Sequence, residues 1–583
     1  MRELRRLGPY LRRHARGLAL GTGALLLTTL FSVASPWVLR HAIDDLSLQV
    51  TGQKLRLYAG LLLLLVLVEG LFRYAMRRVL IGLSREIEYE LRNDLFAHLL
   101  RLPLSYYHRQ RVGDVMNRAV SDLSAVRMVL GPGIMYTANT VATFVAACAL
   151  MLRISPPLLG LALVPLLLVS VLVRHYGRQI HDRFEAVQAQ LSEISALVQE
   201  SLSGLRVVRA YVQEPHERAR FAAANQEFLE RNRRLVRLYG VLYPGIQLLM
   251  GLGTVLVVLV GGGQVVHGRI TLGEFVAFSA YLAMLHWPMI AVGWVVNLFE
   301  RGEASMGRLN QLFDAPPEIV DGPRRPDAAL TGRLRVSGLT FAYPGSPRPV
   351  LEDISFEAPA GACVAVVGPT GSGKSTLVQL LPRLYDPPPG TIFLGGQDVR
   401  ELPLDTLRGA IGMVPQEAFL FSARLRENLA FGLAQDDDPR ALEAARRAQL
   451  AQDVADFPEQ YETRVGERGL TLSGGQKQRA ALARALAREP RLLILDDALS
   501  AVDTETEERV LQALRDVRGR ATLLLVSHRV STVKDADLIL VLREGRVAER
   551  GTHAELLALD GFYADLHRRQ LLEQEMESPE SAA

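Results

Sequence analysis

Long apolar segments alternate with polar ones in the first half of the chain. The apolar segments lie at about residues 17–39, 57–78, 128–152, 154–174, 238–266 and 274–299. A helix needs ~20 apolar residues to cross a bilayer core of about 30 Å. In the second segment Glu69 and Arg73 are spaced i, i+4, and we expect the helix to leave the membrane past Arg73. The pattern predicts six membrane-spanning helices.

The polar segments at residues 73–127 and 174–237 have the spacing of amphipathic helices, so we expect the spanning helices to extend far into the cytoplasm. Arginine dominates the first sixteen residues, which places the N-terminus in the cytoplasm, and six spans return the C-terminus there. We interpret the first apolar segment as a retained span rather than a signal peptide, because a clear small-residue cleavage site is lacking.

The pattern changes after a proline-rich linker at residues 314–330. Short β-branched runs at residues 362–367, 492–495 and 522–526 alternate with helical stretches, which predicts an α/β domain with a largely parallel sheet. We therefore predict a multi-domain fold with an all-α six-helix transmembrane domain at 1–313, which carries long cytoplasmic helical extensions. An α/β domain follows at 331–572, with a flexible tail at 573–583.

Composition agrees with a membrane protein that carries a soluble domain. Of 583 residues, 49% are hydrophobic and 22% are charged, and the formal net charge of +4 gives no support to nucleic-acid binding. Two cysteines exclude a disulfide framework and a cysteine-cluster metal site. Only four of the basic residues are lysines: Lys54, Lys374, Lys477 and Lys534.

A glycine-rich loop follows the predicted strand at 362–367 and precedes a helical stretch. Its sequence fits GxxxxGK[ST], with the residues Gly368, Pro369, Thr370, Gly371, Ser372, Gly373, Lys374, Ser375 and Thr376. Backbone N–H groups of such a loop cradle phosphates, the lysine reaches the β and γ groups, and the serine ligates Mg²⁺. The loop predicts an ATP site with Mg²⁺.

Two further motifs complete this prediction. The apolar run at 492–495 ends in Asp496, as a strand that supplies a carboxylate to the metal shell requires, and Asp497 follows at the position of a general base. Between the two motifs, a small-residue turn opens a helix and offers an anion site, with the residues Ser473, Gly474, Gly475 and Gln476.

Taken together, these motifs resemble those of the ATP-binding cassette (ABC) proteins, and six spans before one cassette resemble an ABC exporter half-transporter. The resemblance implies that Tyr343 stacks on adenine, that Gln416 of the Q-loop touches Mg²⁺, and that His528 contacts the γ-phosphate. Mg²⁺ would then be held by Ser375, Gln416 and Asp496. Residues 463–469 resemble the X-loop, and residues 500–503 the D-loop. Two regions resemble coupling helices, Gly113-Asp114 after Tyr106-Tyr107-His108 and residues 203–211.

At one position the chain departs from the family pattern, because Asp497 stands where the family usually has glutamate. The shorter side chain withdraws the carboxylate by roughly 1.5 Å, and a misplacement of ~1 Å can cost about 10²-fold in rate. In the family, each ATP is held between the Walker A loop of one cassette and the signature of another. The chain thus resembles the degenerate half of a heterodimeric exporter, whose signature residues Ser473 to Gln476 would complete the partner's site in trans.

The retained His528 leaves a slow homodimer open. The resemblance implies that the protein exports hydrophobic or amphipathic drugs, lipids or peptides by alternating access, driven by ATP. The alternatives are a homodimeric lipid flippase and a non-transporting ATP-gated membrane regulator.

We expect a multi-pass protein of the plasma (inner) membrane whose partners are a second half-transporter and the lipid bilayer. Several polar or aromatic groups within the spans could line a cavity or pack between helices: Tyr136, Asn139, Gln247, His286, Trp287, Trp294 and Asn297.

Overall fold

The computed structural model describes residues 2–323, 329–466, 472–516 and 519–577. These residues form two compact units. The first runs to Leu100 and resumes at Val112–Ala315, and the second consists of Arg101–Arg111 and the residues from Pro316 onward. A short segment between two transmembrane helices therefore belongs to the second unit.

Helices make up the first unit. In chain order up to residue 313, with α4 alone in the second unit, the helices are α1 (Gly8–Arg13), α2 (Ala15–Leu48), α3 (Gly52–Leu99), α4 (Leu104–Arg109), α5 (Val112–Asn117), α6 (Leu123–Met128), α7 (Ile134–Ile154), α8 (Pro156–Ser203), α9 (Leu205–Ala210), α10 (Glu214–Val266) and α11 (Leu272–Phe313). A 3₁₀ turn at Glu3–Leu7 precedes them, and two π-helical segments, Arg118–Asp122 and Val129–Gly133, join α5 to α7 into one rod.

Six helices among the described residues are long and apolar enough to cross a membrane. They are α2, α3, the rod Val112–Ile154, α8, α10 and α11, with 34 to 53 residues each. At 1.5 Å per residue the longest measures about 80 Å, far more than a bilayer core of about 30 Å. The sequence prediction of six spans with long helical extensions is confirmed.

Side-chain caps mark where several of these helices begin. Thr51 accepts a hydrogen bond from the N–H of Lys54 at the start of α3, and Ser155 accepts one from the N–H of Leu158 ahead of α8. Thr271 and Glu274 form a reciprocal capping box at the start of α11. Each cap satisfies a backbone donor that the helix itself leaves free.

Small residues and one buried hydroxyl set the packing between helices. A Cβ at Gly21 of α2 would clash with Leu80 of α3, and one at Gly302 of α11 would clash with Val129. The fully buried Tyr281 donates a hydrogen bond from its hydroxyl to the carbonyl of Val33 at 2.9 Å. Close helix approach without side-chain bulk is typical of membrane bundles.

Strands and short helices make up the second unit. The strands are β1 (Leu334–Phe341), β2 (Leu351–Ala358), β3 (Cys363–Val367), β4 (Ile392–Leu394), β5 (Gln397–Asp398), β6 (Ile411–Val414), β7 (Leu492–Asp496), β8 (Thr522–Val526), β9 (Leu538–Arg543) and β10 (Arg546–Gly551). The helices are α12 (Lys374–Leu380), α13 (Leu404–Gly409), α14 (Leu425–Leu429), α15 (Pro439–Arg447), α16 (Ala451–Ala455), α17 (Gly474–Ala487), α18 (Thr504–Arg515), α19 (Val530–Val533), α20 (His553–Ala558) and α21 (Phe562–Glu577).

Two sheets organise the described strands of this unit. The larger has the order β10-β9-β3-β8-β7-β6, and its strands are parallel except for the β10–β9 pair. The smaller, β2-β1-β4-β5, is antiparallel. Every residue of β3, β7 and β8 is buried, which explains why these strands read as unbroken apolar runs. The predicted helical six-span domain followed by an α/β domain is confirmed.

Two sequence predictions fall partly outside the described residues. The X-loop prediction includes Glu467, Arg468 and Gly469, which lie there, as do residues 324–328 of the predicted linker. The predicted flexible tail begins at residue 573, but α21 continues as a helix to Glu577. The helix extends because residues 573–577 contain neither glycine nor proline.

Candidate nucleotide-binding site

Four neighbouring parallel strands bring the predicted nucleotide residues to one edge of the larger sheet. The glycine-rich loop follows β3, His528 follows β8, Asp496 ends β7, and Gln416 follows β6. Carboxyl ends of parallel strands meet at the same edge, where α/β proteins bind their ligands. Motifs that lie as much as 160 residues apart in sequence are thereby placed along one edge.

The glycine-rich loop has a backbone that side chains would obstruct. Gly368, Gly371 and Gly373 have positive φ angles of 151°, 81° and 99°. A Cβ at Gly368 would clash with the carbonyl of Leu542, and one at Gly373 would lie 2.6 Å from Leu351 Cδ2. Glycine is therefore required at both positions to let the loop curl.

Lys374 is folded into this loop. Its Nζ donates hydrogen bonds to the carbonyls of Gly368 and Pro369, each at 2.8 Å, and the residue is only 6% exposed. Burial lowers the pKa of Lys374, while the carboxylates of Asp496 and Asp497 act in the opposite direction. A buried ammonium that two carbonyls hold in the loop is placed to meet a polyphosphate.

Beside the loop lies a pair of groups suited to a hard cation. Ser375 Oγ donates a hydrogen bond to Asp496 Oδ1 at 3.3 Å, and Asp496 is 4% exposed. Burial raises the pKa of the Asp496 carboxyl, which a cation would reverse. A hydroxyl and a carboxylate are ligands that Mg²⁺ accepts together with phosphate oxygens.

Ser372 supplies an independent test of whether the loop fits a nucleotide. Its hydroxyl is buried in the centre of the loop and has no hydrogen-bond partner among the described residues. A buried hydroxyl without a partner is costly. Phosphate oxygens in the loop would satisfy it, so the residues present fit a bound nucleotide.

Tyr343 lies next to the loop in an aromatic cluster. Its hydroxyl is 2.9 Å from Thr376 Oγ1, and its ring meets those of Tyr385 and Phe341 edge to face at 5.0 and 5.4 Å. The ring is thus fixed beside the phosphate loop, at a place where an adenine could stack on it.

Asp497 has an unusual backbone. Its φ is +49°, in the left-handed region, and its N–H donates a hydrogen bond to the carbonyl of Val526 at 2.9 Å. Among residues other than glycine, aspartate tolerates this region better than most. The bend ends β7 directly after Asp496.

The backbone around His528 is held by the C-terminal helix. Gln570 of α21 donates from Nε2 to the carbonyl of His528 at 2.6 Å and accepts at Oε1 from the N–H of Val530 at 2.8 Å. The buried Glu507 accepts from Arg529 Nη1 at 2.6 Å and from Thr532 Oγ1 at 2.5 Å. Helix α18, through Glu507, and helix α21, through Gln570, therefore hold the segment that carries His528.

The signature residues open α17 as a reciprocal cap. Gln476 N donates to Ser473 Oγ at 3.2 Å, and Ser473 N donates to Gln476 Oε1 at 3.0 Å. Asp453 also holds Gln476, and Gln478 bonds both the hydroxyl of Ser500 and the N–H of Ala501. The helix start is thus braced against the D-loop, with Gly474 and Gly475 against Ala501.

Gln416 is exposed after β6. The region predicted to resemble the first coupling helix is divided between the units: Gly113-Asp114 lies in the first unit, whereas Tyr106-Tyr107-His108 lies in the same unit as Gln416. Within this unit His108 Nδ1 is 2.9 Å from the Tyr385 hydroxyl, and Leu104 of α4 packs against the core beneath the smaller sheet. The second region, residues 203–211, includes α9 in the first unit, and its Val207 and Tyr211 are largely exposed.

Sequence reasoning missed Asp453, Gln478, Glu507 and Gln570. Asp453 and Glu507 lie in polar helical stretches, where a carboxylate is ordinarily solvated, so their contacts leave no local signal. Gln478 follows the signature by two residues, and this proximity was the one available hint. Gln570 lies 42 residues from His528, and only the folded chain brings it there.

Comparison with known proteins matches both units to one family. The family model described as "ABC transporter transmembrane region" matches residues 18–289, and the one described as "ABC transporter" matches residues 351–500. The multidrug resistance-like ATP-binding protein MdlA of Escherichia coli is 35% identical over 98% of this chain and 97% of its own length. An ATP-dependent lipid A-core flippase of Syntrophus aciditrophicus is 31% identical over 98% of this chain and 94% of its own.

A solved structure extends this similarity to three dimensions. A bacterial Atm1-family ABC exporter with ATP bound superposes with a TM-score of 0.79 at 30% identity, covering 96% of this chain and 98% of its own. Similarity at this level over nearly the whole length includes both the helical spans and the cassette. The chain belongs to the ABC exporter family, as a half-transporter that joins one six-span transmembrane domain to one ATP-binding cassette whose hydrolysis is coupled to transport.

Proposed function

We propose that this chain is one subunit of an exporter that moves hydrophobic or amphipathic molecules out of the cytoplasm or the inner leaflet by alternating access. Support comes above all from the edge of the larger sheet, where the glycine-rich loop, Asp496, Gln416 and His528 follow neighbouring parallel strands. Its setting is the inner membrane, with both termini cytoplasmic, as the arginine-rich start of the chain favours.

Each residue at this edge has a role in the proposal. Lys374 and the loop N–H groups hold the phosphates, Tyr343 stacks on the base, and Ser375, Asp496 and Gln416 ligate Mg²⁺. His528 contacts the γ-phosphate, and Asp497 stands where a base would orient the attacking water. The bound Mg²⁺ would neutralise charge that develops on the phosphates. Residues Ser473 to Gln476 bind the nucleotide of a partner cassette, because the cap engages only the N–H of Gln476 and leaves those of Gly474 and Gly475 without an intrahelical partner.

Asp497 makes this chain's own site hydrolytically weak. Its carboxylate is one methylene nearer the backbone than a glutamate's, and its left-handed φ fixes the direction in which it leaves β7. A withdrawn base orients water poorly. Nucleotide binding and closure do not require this base, because Lys374 hydrogen-bonds to loop carbonyls and Ser375 to Asp496 rather than to Asp497.

A second chain is part of the proposal. The first unit exposes apolar side chains around α9, with Val207, Tyr211 and Val212 at 61%, 73% and 73%. Exposed apolar side chains at the end of a polar helical hairpin indicate a protein contact. We propose that α9 docks on the cassette of a partner half-transporter, and that the partner is a different chain with a competent base, so that the exporter is a heterodimer.

A homodimeric lipid flippase is the second candidate. It is favoured by the 31% identity to a protein named as a lipid A-core flippase, over 98% of this chain. In that case Asp497 would slow both sites of the dimer equally.

Reconstitution tests the proposed function. The full chain, with any half-transporter that copurifies with it, is placed in liposomes, and movement of a fluorescent hydrophobic dye, a labelled peptide and a labelled lipid is followed. We expect movement of at least one probe that requires both ATP and Mg²⁺ and stops when EDTA is added. Movement that is the same with and without ATP would contradict the proposal.

A further inference from the structure

Contacts between α2 and α3 set the depth at which two arginines lie. The rings of Phe31 and Phe72 stack at 5.8 Å, and Leu80 packs where Gly21 leaves space. Because Phe31 lies beside Phe72 and Gly21 beside Leu80, the two helices run antiparallel, and residues 72–80 of α3 are level with residues 21–31 of α2. Thr28 is the midpoint of the uncharged run 17–39, about 16 Å from each end at 1.5 Å per residue. Arg73 and Arg77, which lie within the predicted span 57–78, are consequently level with the middle of the uncharged run of α2, at the depth of the hydrocarbon core.

Both arginines line a cavity within the first unit. It has a volume of about 350 Å³ and lies among α2, α3, α7 and α11. Its polar lining besides the arginines includes Thr28, Ser32, Tyr136 and Asn139, whereas Met76 and Trp287 are among its apolar walls. All lining residues from α2, α7 and α11 come from uncharged runs of those helices. A polar-lined cavity at this depth is a binding site more often than a packing defect.

The charges of this cavity do not cancel. Arg73 is paired with Glu69 one turn earlier on α3. Arg77 has neither an ion pair nor a side-chain hydrogen bond among the described residues, whereas its neighbour Arg78 bonds the Tyr74 hydroxyl at 3.1 Å. The facing runs 17–39, 128–152 and 275–299 contain no carboxylate. An uncompensated guanidinium at membrane depth is costly, and functional partners are its usual explanation.

We propose that this cavity binds the anionic headgroup of an amphiphilic substrate, with Arg77 as its principal ligand. The guanidinium fork binds a phosphate or carboxylate through two parallel hydrogen bonds. Asn139 and Tyr136, whose polar atoms have no hydrogen-bond partner among the described residues, can contact the remaining oxygens. The volume suits a headgroup, so the acyl chain extends outside the cavity along Met76 and Trp287. This inference rests on the proposed export function and names its substrate class.

Binding of two lipid probes to the purified full chain in maltoside micelles tests the proposal. The probes are fluorescent phosphatidic acid and fluorescent phosphatidylcholine with the same acyl chains, and polarisation measures binding. We expect the anionic probe to bind about tenfold more tightly. Arg77→Gln should remove this preference and leave phosphatidylcholine unchanged, whereas Arg78→Gln, the matched control one residue along, should retain it. An excess of water-soluble glycerol 3-phosphate should displace little of the anionic probe.

Glu69→Gln gives an opposite change in the same assay. It releases Arg73 from its ion pair, so affinity for phosphatidic acid should rise about threefold or more. Arg77→Gln should also melt at the same temperature as the wild type or higher, because it removes an uncompensated charge. Equal binding of the two lipids, loss of preference in Arg78→Gln as well, or full displacement by glycerol 3-phosphate would each overturn the inference. ATP-dependent transport of a neutral probe in liposomes would still support the export function in that event.

Discussion

Lys374 is buried, although its proposed role in phosphate binding requires its positive charge. The ammonium is bound to two loop carbonyls, and its pKa is lowered by burial. A phosphate would replace the carbonyls as its partner and restore the charged form. The residue can therefore be tested for nucleotide affinity without reference to hydrolysis.

Lys374→Ala should weaken binding of a fluorescent ATP analogue by about tenfold or more, because a charge-assisted hydrogen bond to phosphate is lost. Equilibrium fluorescence titration of the purified full chain measures this. Lys534→Ala, which removes an exposed lysine of the same unit, is the control and should bind like the wild type. Unchanged affinity and transport in Lys374→Ala would show that the loop is not the nucleotide site.

Several residue properties at the site could not be predicted from sequence. The positive φ of Asp497 arises because its N–H reaches Val526 on the neighbouring strand, a pairing that depends on sheet order. The depth of Arg77 depends on how α3 is shifted along α2, and no local pattern in α3 reports that shift. By contrast, the motif residues Gly368 to Thr376 were predictable, since a glycine-rich loop between a strand and a helix is a local feature.

At the scale of elements, the clearest predictions were the buried central strands. The apolar runs at 362–367, 492–495 and 522–526 correspond to β3, β7 and β8, because a strand covered on both faces must be apolar throughout. The small antiparallel sheet was not predicted. Its strands β4 and β5 have three and two residues, which is too few to show a period.

The contact between α11 and the π-helical segment Val129–Gly133 depends on Gly302. Gly302→Ala should lower the melting temperature of the purified protein, because its methyl group would clash with Val129, and such overpacking costs about 1–3 kcal/mol. Gly251→Ala on α10 is the matched control, since a Cβ there meets nothing within 4 Å and alanine favours a helix. A Gly302→Ala protein as stable as the Gly251→Ala protein would contradict the packing described.

Helix α21 positions the backbone of His528 through Gln570. Gln570→Ala should reduce the preference for a non-hydrolysable ATP analogue over ADP by about fivefold, the equivalent of a hydrogen bond of about 1 kcal/mol. ADP affinity should remain unchanged, because only the γ-phosphate contact is disturbed. Arg569→Ala, the neighbouring residue on the same helix, serves as control. If Gln570→Ala changed ADP and ATP binding alike, α21 would have only a structural role.

At the scale of the molecule, length and hydrophobic pattern were enough to predict two domains of different kinds. Six long apolar segments and one complete set of nucleotide motifs are both features of local sequence. The proposed substrate site is different, because its lining residues come from four helices that meet only in the folded first unit. The inferred anion preference therefore comes from helix packing and not from any motif.

The central claim is that this chain carries a complete set of nucleotide motifs but a weak base at Asp497. Steady-state Mg²⁺-dependent ATPase activity of the purified full chain, measured beside Asp497→Asn, tests this most directly. The account predicts turnover near 0.1 s⁻¹, about 10²-fold below a typical enzyme rate of about 10 s⁻¹, and a change of less than about twofold in Asp497→Asn. Turnover of about 10 s⁻¹ by the isolated wild-type chain, lost in Asp497→Asn, would contradict it.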